Sequence, residues 1–501
     1  MQNQHTPAYA WLHRQQERLH RLDHLQSIAA WDQATHMPPG GNDARSAALA
    51  ELATLMHRDR ADPSLAQRLA EARQEPLNDW QAANLREIER AWQRTQAVPE
   101  TLVERRTVVT SQCEHAWRSQ RPRNDWVGFA ANLREVLALV RQEAHHLGDA
   151  LGLSPYDALL DHYEPGMRSA DVARLFGNLR QWLPALIRQV QARQAREDVL
   201  PLVGPFPLPA QRSVCEQMVR WLGFDFAHGR LDVSTHPFTG GVPEDVRLTT
   251  RFRDDECLQA LLGTIHETGH GRYEQNLPRE WLGQPVALAR SMAIHESQSL
   301  FFEMQLAAHP GFARHLSPLL VQAFGDQAAF EPDNLHKLMT RVAPGLIRVE
   351  ADELTYPAHI VLRFEIERAL IEGDAEVDDI PALWDAAMHD LLGLDTHGNY
   401  RDGPMQDVHW PAGLFGYFPC YSLGAMYAAQ WMAAMRHHLP DVDAQIHAGE
   451  LNGVFGWLRE HIWQAGSRWP TDELAQRASG ETLNPAHYRA HLERRYGGER
   501  G

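Results

Sequence analysis

The chain has 501 residues, and 48 Lys and Arg against 65 Asp and Glu give it a formal net charge of −17. This acidic balance argues against nucleic acid as the main partner, because phosphate binding needs a basic face, and against an anionic membrane surface. With 44% hydrophobic residues and four cysteines, the composition excludes a disordered chain and a disulfide scaffold. The unusual feature is the high number of histidines, 28.

Apolar residues at spacings of three and four predict a mainly α-helical chain. Helices are expected over residues 9–30, 79–118, 129–151, 169–197, 255–275, 287–308, 347–372 and 450–464, with shorter ones near 471–479 and 484–496. Four prolines between Leu200 and Ala210 predict an extended strap. Between Leu231 and Phe252, β-branched and aromatic residues around a Gly-Gly turn predict a small hairpin or sheet.

No internal repeat or low-complexity linker divides the chain. We therefore expect one domain over residues 1–501, with an N-terminal helical half (about 1–200) and a catalytic half (about 211–501). Residues 411–435 carry no charge and are long enough to span a bilayer, but their prolines and glycines favour a buried loop and helix. Residues 1–5 lack an apolar signal core, and the widely spaced cysteines fit a reducing cytosol.

The most informative motif is His266-Glu267-Thr268-Gly269-His270. On a helix, residues four apart share a face, so both imidazoles can reach one cation while Glu267 addresses a metal-bound water. An aspartate cap is expected at position 254 or 255, and Gly269 permits close approach of another segment. Because the chain is rich in histidine, the motif by itself is only suggestive.

A third ligand is expected 26 residues after His270, at Glu296. If Glu296 lies on an adjacent antiparallel helix, it completes a site of two histidines and one glutamate with one open position, the arrangement of catalytic zinc. The alternative is that Glu296 is an ordinary surface residue of its helix.

Two polar clusters flank the Gly-Gly turn: residues 236–238 (His-Pro-Phe), and the segment containing Asp245, Arg247 and Thr249. The last three residues alternate, so they share one face of a strand. Such a strand beside a metal helix is suited to pairing with a bound peptide. The alternative is a solvated edge strand.

Two further clusters lie downstream. Arg348 and Asp352 are expected on one face of a long apolar helix, where a partly buried arginine suits the capture of a carboxylate. The alternative is a structural Arg–Asp pair. The loop 403–410, which contains Gln406 and His409, has more hydrogen-bonding groups than a plain surface loop needs.

In chain order these motifs read His-Pro-Phe, D-x-R-x-T, H-E-x-x-H, His-Glu-Ser, I-R-x-x-A-D and G-x-x-Q-D-x-H-W. Together they resemble the signatures of the thermostable (Taq-type) zinc metallocarboxypeptidase family, a group of H-E-x-x-H gluzincin peptidases. The resemblance extends over about residues 9–497 and includes residues 31–33, 37–40, 163–167 and 415–419.

The resemblance implies a cytoplasmic, saddle-shaped homodimer that is mainly α-helical, with a small β-sheet lining a deep groove. The implied activity is removal of single C-terminal residues from peptides, with broad specificity that disfavours proline. One zinc ion per subunit is implied, with cobalt as a possible substitute. By the same resemblance, His266, His270 and Glu296 are the metal ligands, Glu267 is the general base and acid, and Arg348 recognises the carboxylate. The remaining residues implied to line the site are His236, Asp245, Arg247, Gln406, His409 and Tyr421.

The expected chemistry agrees with this family. Zinc lowers the pKa of water, Glu267 takes the proton, and His409 or Tyr421 helps to stabilise the oxyanion. A carboxypeptidase must bind the free C-terminus of its peptide substrate, for which Arg348 and Arg247 are the candidates. The alternatives are a zinc endo-oligopeptidase with the same metal chemistry and a catalytically inactive peptide-binding protein.

Overall fold

The computed structural model describes residues 6–497. Residues 1–5, which are predicted to lack an apolar signal core, lie outside this range. The protein is mainly α-helical with one small three-stranded sheet, which confirms the predicted fold class. The strands are β1 (Gly229–Val233), β2 (Thr239–Val242) and β3 (Asp245–Thr250). The α-helices of the described residues are α1 (Pro7–Thr35), α2 (Asn42–Arg60), α3 (Leu65–Ala72), α4 (Asp79–Ala97), α5 (Glu100–Gln120), α6 (Trp126–Leu151), α7 (Pro155–Tyr163), α8 (Ser169–Gln194), α9 (Leu208–Trp221), α10 (Leu258–Gln275), α11 (Met292–Leu300), α12 (Pro310–Phe324), α13 (Pro332–Met339), α14 (Tyr356–Glu372), α15 (Ile380–Leu392), α16 (Pro419–His438), α17 (Val442–Ala448), α18 (Asn452–His461), α19 (Thr471–Ser479) and α20 (Pro485–Tyr496).

The described residues form two compact units, and each unit is assembled from three separate segments. Unit 1 contains residues 6–95, 199–339 and 427–484, and therefore the whole sheet. Unit 2 contains residues 96–198, 340–426 and 485–497. The expected single domain with halves at 1–200 and 211–501 stays a prediction.

Proline explains where two of the predicted helices and the predicted strap change. The helix expected over residues 79–118 is divided into α4 and α5, because Pro99 immediately precedes α5. The helix expected from residue 347 begins only at Tyr356, with Pro357 in its first turn. The strap is extended over residues 200–207, but α9 begins at Leu208, since Pro209 is tolerated in a first helical turn.

The sheet has the strand order β1-β3-β2. Strand β3 is parallel to β1 and antiparallel to β2, with Arg247 opposite Arg230 on one side and Gly240 on the other. The predicted small sheet is confirmed. Both interpretations of β3, as a strand that pairs with a bound peptide and as a solvated edge strand, are wrong, because β1 and β2 already pair with its two sides.

Each unit has its own apolar core. In unit 1, Leu261 and Ile265 of α10 are almost fully buried, as is Leu248 of β3. In unit 2, Val136 of α6 and Phe364 of α14 are buried in the same way. Burying one such side chain contributes about 1.5–3 kcal/mol, so the helix that carries the metal motif is anchored along its apolar face.

The uncharged segment 411–435 forms a loop followed by α16, and most of its residues are buried. Leu423 and Met426 are both 0% exposed, so the segment forms protein core, as predicted. Among the described residues, no helix is long and apolar enough to cross a membrane.

Candidate metal centre

Helix α10 carries the metal motif, and Glu256 satisfies its first backbone N–H groups. The Glu256 carboxylate accepts hydrogen bonds from the backbone nitrogens of Leu258 (2.7 Å) and Gln259 (2.7 Å). The aspartate cap expected at position 254 or 255 is therefore wrong. Asp255 instead pairs with Arg253, while Glu256 lies nearer to the helix and reaches the free N–H groups.

Helix α11 and the π-helical segment that follows it, Phe301–Ala307, run antiparallel to α10. Gly269 lies against Ser299, while His266, earlier on α10, contacts Glu303, later in the second segment. Two buried tryptophans of unit 1 hold α11, since Trp431 donates to the Ser297 hydroxyl (3.0 Å) and Trp463 donates to the Gln298 side chain (2.8 Å). Helix α11, which carries Glu296, is thus held by two buried hydrogen bonds.

The three side chains predicted as metal ligands meet between these two helices. One nitrogen each of His266 and His270 and one carboxylate oxygen of Glu296 lie within 4.8 Å of one another. Glu296 Oε2 is 3.3 Å from His270 Nε2 and 3.9 Å from His266 Nε2. Ligand atoms bound tetrahedrally at about 2.0–2.2 Å from zinc are about 3.4 Å apart, so this donor set fits a cation of that size. Glu296 is 8% exposed and is not a surface residue.

The charges around the cluster favour a cation. Burial opposes ionisation of Glu296, but His266 and His270 hold its pKa at about 2. Burial also opposes protonation of His266, but the carboxylates of Glu296 and Glu303 raise its pKa to about 10. Burial lowers the pKa of His270 to about 4. A metal ion bound here therefore competes with a proton at His266, as expected of histidine ligands.

Glu267 lies beside His266 on α10, and its carboxylate contacts the sheet. Its Oε2 accepts a hydrogen bond from the hydroxyl of Thr239 on the edge strand β2 (2.6 Å). Burial raises the pKa of Glu267, which makes its carboxylate a stronger base. The hydrogen bond from Thr239 fixes the direction of that carboxylate.

Each histidine of the motif has a partner at its second ring nitrogen. Glu303 Oε2 lies 2.8 Å from His266 Nδ1. His295 Nδ1 lies 2.6 Å from His270 Nδ1, and Glu274 Oε1 lies 2.7 Å from His295 Nε2. Neither Glu274 nor Glu303 is among the residues predicted from the sequence, although Glu274 follows His270 at the same four-residue spacing that joins the two histidines.

The other predicted residues of unit 1 lie in or beside the sheet. Arg247 donates to Asp245 from Nε (3.0 Å) and from a terminal nitrogen (2.7 Å), and this pairing lowers the pKa of Asp245. Arg247 and Trp31 line a cavity of about 430 Å³. His236 is exposed in the segment that precedes β2.

In unit 2, Arg348 lies in a short 3₁₀ turn, Arg348–Glu350, and not on the long helix expected from the sequence. A terminal nitrogen of its guanidinium donates to Asp407 Oδ1 (2.9 Å). Asp352 instead accepts hydrogen bonds from the backbone that leads into α14. The prediction that Arg348 and Asp352 share one face of a helix is therefore wrong, because the helix starts after both residues.

Asp407 is shared by two buried arginines. Arg348 binds its Oδ1 atom, while Arg363 of α14 donates to Oδ2 from Nε (2.9 Å) and from a terminal nitrogen (2.6 Å). Two guanidinium groups against one carboxylate leave excess positive charge, which a bound anion would neutralise. Arg348 also donates to the Tyr356 hydroxyl (3.0 Å), and each of its terminal nitrogens retains one further N–H. Sequence analysis gave no role to Asp407 or Arg363.

Gln406, His409 and Tyr421 surround the same arginine. Gln406 Oε1 accepts a hydrogen bond from the Arg348 backbone (2.7 Å), and the Tyr421 hydroxyl is 3.2 Å from His409 Nε2. Burial lowers the pKa of His409 to about 3, so its ring is neutral and carries one N–H donor. Four of the predicted substrate-binding residues thus form one cluster in unit 2, whereas the other three belong to unit 1: His236, Asp245 and Arg247.

The sequence and the structure both match known proteins. Residues 11–496 match the family model described as Carboxypeptidase Taq (M32) metallopeptidase. The chain is 38% identical to thermostable carboxypeptidase 1 of Thermus thermophilus over 95% of both chains. Among solved structures, it is similar to Trypanosoma cruzi metallocarboxypeptidase 1, with a TM-score of 0.96, 47% identity and coverage of 98% of this chain and 99% of that chain. A Pyrococcus furiosus carboxypeptidase gives a TM-score of 0.94 and 30% identity, with the same coverage of both chains. The resemblance drawn from the six motifs is therefore confirmed: the chain belongs to the carboxypeptidase Taq (M32) family and is a metallocarboxypeptidase.

Proposed function

We propose that this metallocarboxypeptidase removes single C-terminal residues from peptides, with broad specificity and with zinc as its metal. The proposal is carried by the cluster of His266, His270 and Glu296 on the helix pair that also holds the buried Glu267. Two imidazoles and one carboxylate, with one position left for substrate or water, are the donor set of a catalytic zinc site. Cobalt is expected to substitute.

When bound, zinc supplies Lewis acidity, which polarises the scissile carbonyl group and makes water a stronger acid. Glu267 takes a proton from the attacking water and returns it to the leaving nitrogen. Thr239 orients the carboxylate of Glu267, and the raised pKa of Glu267 suits it to both transfers. His409, which is neutral, and Tyr421 are the proposed hydrogen-bond donors to the oxyanion.

We assign recognition of the terminal carboxylate to Arg348. The excess positive charge of Arg348 and Arg363 around Asp407 supports this role, since a planar guanidinium binds a carboxylate in a bidentate manner. Arg247 is the weaker candidate, because it pairs one to one with Asp245, whereas Arg348 and Arg363 share the single carboxylate of Asp407. This difference favours an exopeptidase over an endo-oligopeptidase.

The test compares one peptide as the free acid and as the C-terminal amide, incubated with zinc-loaded protein and followed by mass spectrometry. We expect the free acid to shorten by one residue at a time and the amide to persist. A chelator should stop the reaction, and added zinc should restore it. Efficient internal cleavage of the amide would favour the endo-oligopeptidase, whereas metal binding without hydrolysis would favour a peptide-binding protein.

The homodimer and the cytoplasmic location are further proposals that come from the family resemblance. Cys113, Cys215, Cys257 and Cys420 are buried and form no disulfide within the described residues, which agrees with a reducing compartment. Light scattering coupled to size-exclusion chromatography tests the dimer directly.

A further inference from the structure

We propose that Glu274 is a positioning residue of the metal centre, acting on His270 through His295, and that Glu303 has the corresponding role for His266. The inference rests on the proposed function, since it concerns the same metal site. Neither carboxylate belongs to the cluster of candidate ligands. Each carboxylate instead determines which ring nitrogen of the corresponding histidine carries the proton.

Glu303 acts on His266 through one direct hydrogen bond. Glu303 Oε2 lies 2.8 Å from His266 Nδ1, and an ionised carboxylate can only accept a hydrogen bond. When His266 gives up one proton, as metal binding requires, the remaining proton must therefore be on Nδ1. This leaves a free lone pair on Nε2, the atom that faces Glu296 at 3.9 Å.

Glu274 acts on His270 through two hydrogen bonds, with His295 between them, and this chain also leaves Nε2 of the ligand without a proton. Glu274 Oε1 accepts from His295 Nε2 (2.7 Å), so the single proton of a neutral His295 ring is on Nε2 and its Nδ1 is an acceptor. His295 Nδ1 then accepts from His270 Nδ1 (2.6 Å). His270 Nε2, which is 3.3 Å from Glu296 Oε2, is again left with a free lone pair for the metal.

Removing Glu274 permits the opposite arrangement. If the proton of His295 moves to Nδ1, His270 Nδ1 must accept, and the proton of His270 is then placed on Nε2, where it blocks metal binding. Partners of this kind typically change metal affinity by about 10–100-fold. Removing Glu274 is therefore expected to weaken zinc binding without unfolding the protein.

The test measures the zinc dissociation constant by competition with a chromophoric chelator. Glu274→Leu and Glu303→Leu are each expected to weaken binding by about 10–100-fold. Glu274→Gln keeps an acceptor oxygen and should remain within about threefold of wild type. Glu280→Leu is the matched control, because Glu280 is exposed in the turn just after α10 and should leave the constant unchanged.

A double-mutant cycle separates positioning from a general disturbance. In a His295→Leu background, Glu274→Leu should cost no further affinity, whereas Glu303→Leu should cost as much as it does in the wild type. Unchanged zinc binding in Glu274→Leu, or an equal loss in the His295→Leu background, overturns the inference. If the wild type itself binds no zinc, the proposed function fails instead.

Discussion

Gly269 lies directly against the backbone of Ser299, such that a Cβ atom at position 269 would be 2.6 Å from the Ser299 Cα atom. This contact sets the spacing of α10 and α11, and therefore the separation between the two histidines and Glu296. Glycine is unfavourable inside a helix. It is nevertheless required at position 269, because a second backbone approaches so closely that no side chain fits.

We predict that Gly269→Ala disrupts the metal centre, because the added methyl group must push α11 away from α10. Overpacking of this kind typically lowers the free energy of unfolding by about 1–3 kcal/mol. Gly263→Ala is the matched control on the same helix, since a Cβ atom there meets nothing within 4 Å, and it should be neutral or stabilising. Urea unfolding and zinc titration of both variants check the prediction, and equal zinc affinities in the two would contradict it.

We predict that Glu267→Gln retains its metal but loses activity. The amide has nearly the same shape, but it cannot take the proton from water, so kcat should fall by about 10²–10⁴-fold. Metal content by atomic emission and steady-state hydrolysis of a free-acid dipeptide provide the two measurements. Turnover close to that of the wild type would remove Glu267 from its proposed role.

We predict that Arg348→Lys impairs the use of free-acid substrates. Lysine keeps the charge but lacks the planar pair of donors, and a hydrogen bond to a charged group contributes about 1.5–3 kcal/mol. The value of kcat/KM should therefore fall by about 10–100-fold. Arg401→Lys is the control, since Arg401 is an exposed arginine of the same unit that pairs with Asp402. An equal kcat/KM for Arg348→Lys and the wild type would refute the assignment.

Glu353 of unit 2 links the C-terminal helix α20 to the segment that follows Arg348. It accepts hydrogen bonds from His491 Nε2 (2.6 Å), Arg495 (2.7 Å) and the Tyr496 hydroxyl (3.0 Å). Burial opposes its ionisation, but Arg495 and His491 outweigh burial and lower its pKa from 4.5 to about 2. The charged form of Glu353 is thus stabilised by folding.

We predict from this shift that Glu353 stabilises the fold above pH 4.5 and that its contribution is lost as the pH falls towards 2. A difference of this size corresponds to about 3 kcal/mol of unfolding free energy. Glu353→Gln should therefore be less stable than the wild type at neutral pH, and the gap should narrow in acid. Denaturant unfolding between pH 2 and 7 measures the gap. Glu493→Gln, at an exposed position of α20, should show almost no gap. A gap for Glu353→Gln that does not change with pH would contradict the assignment.

Several features of the chain could be read from local sequence spacing. Helices α19 (Thr471–Ser479) and α20 (Pro485–Tyr496) lie within one residue of their predicted limits. The spacing of His266 and His270 placed both rings on one helical face, and a buried loop and helix were expected over residues 411–435. Each of these features depends on residues close together in the chain, so periodicity is enough to reveal it.

The partners of the site residues depended on contacts between distant segments. Arg348 was paired with Asp352 by helix spacing, whereas it binds Asp407, 59 residues away in the chain. Glu303 lies 37 residues from His266 and belongs to a π-helical segment, for which sequence spacing gave no indication. Strand β3 is likewise central because β1 and β2 both pair with it, and the residues of β3 alone do not indicate this.

By itself, the sequence determined the helical class, the family and the pair of histidines with the adjacent Glu267, because these follow from local periodicity and ordered motifs. Only the tertiary structure decided which side chains contact the second ring nitrogen of each histidine, which residue pairs with Arg348, and why position 269 must be glycine. Those features arise where separate segments pack together, and the energy of such contacts depends on distances that no local pattern encodes.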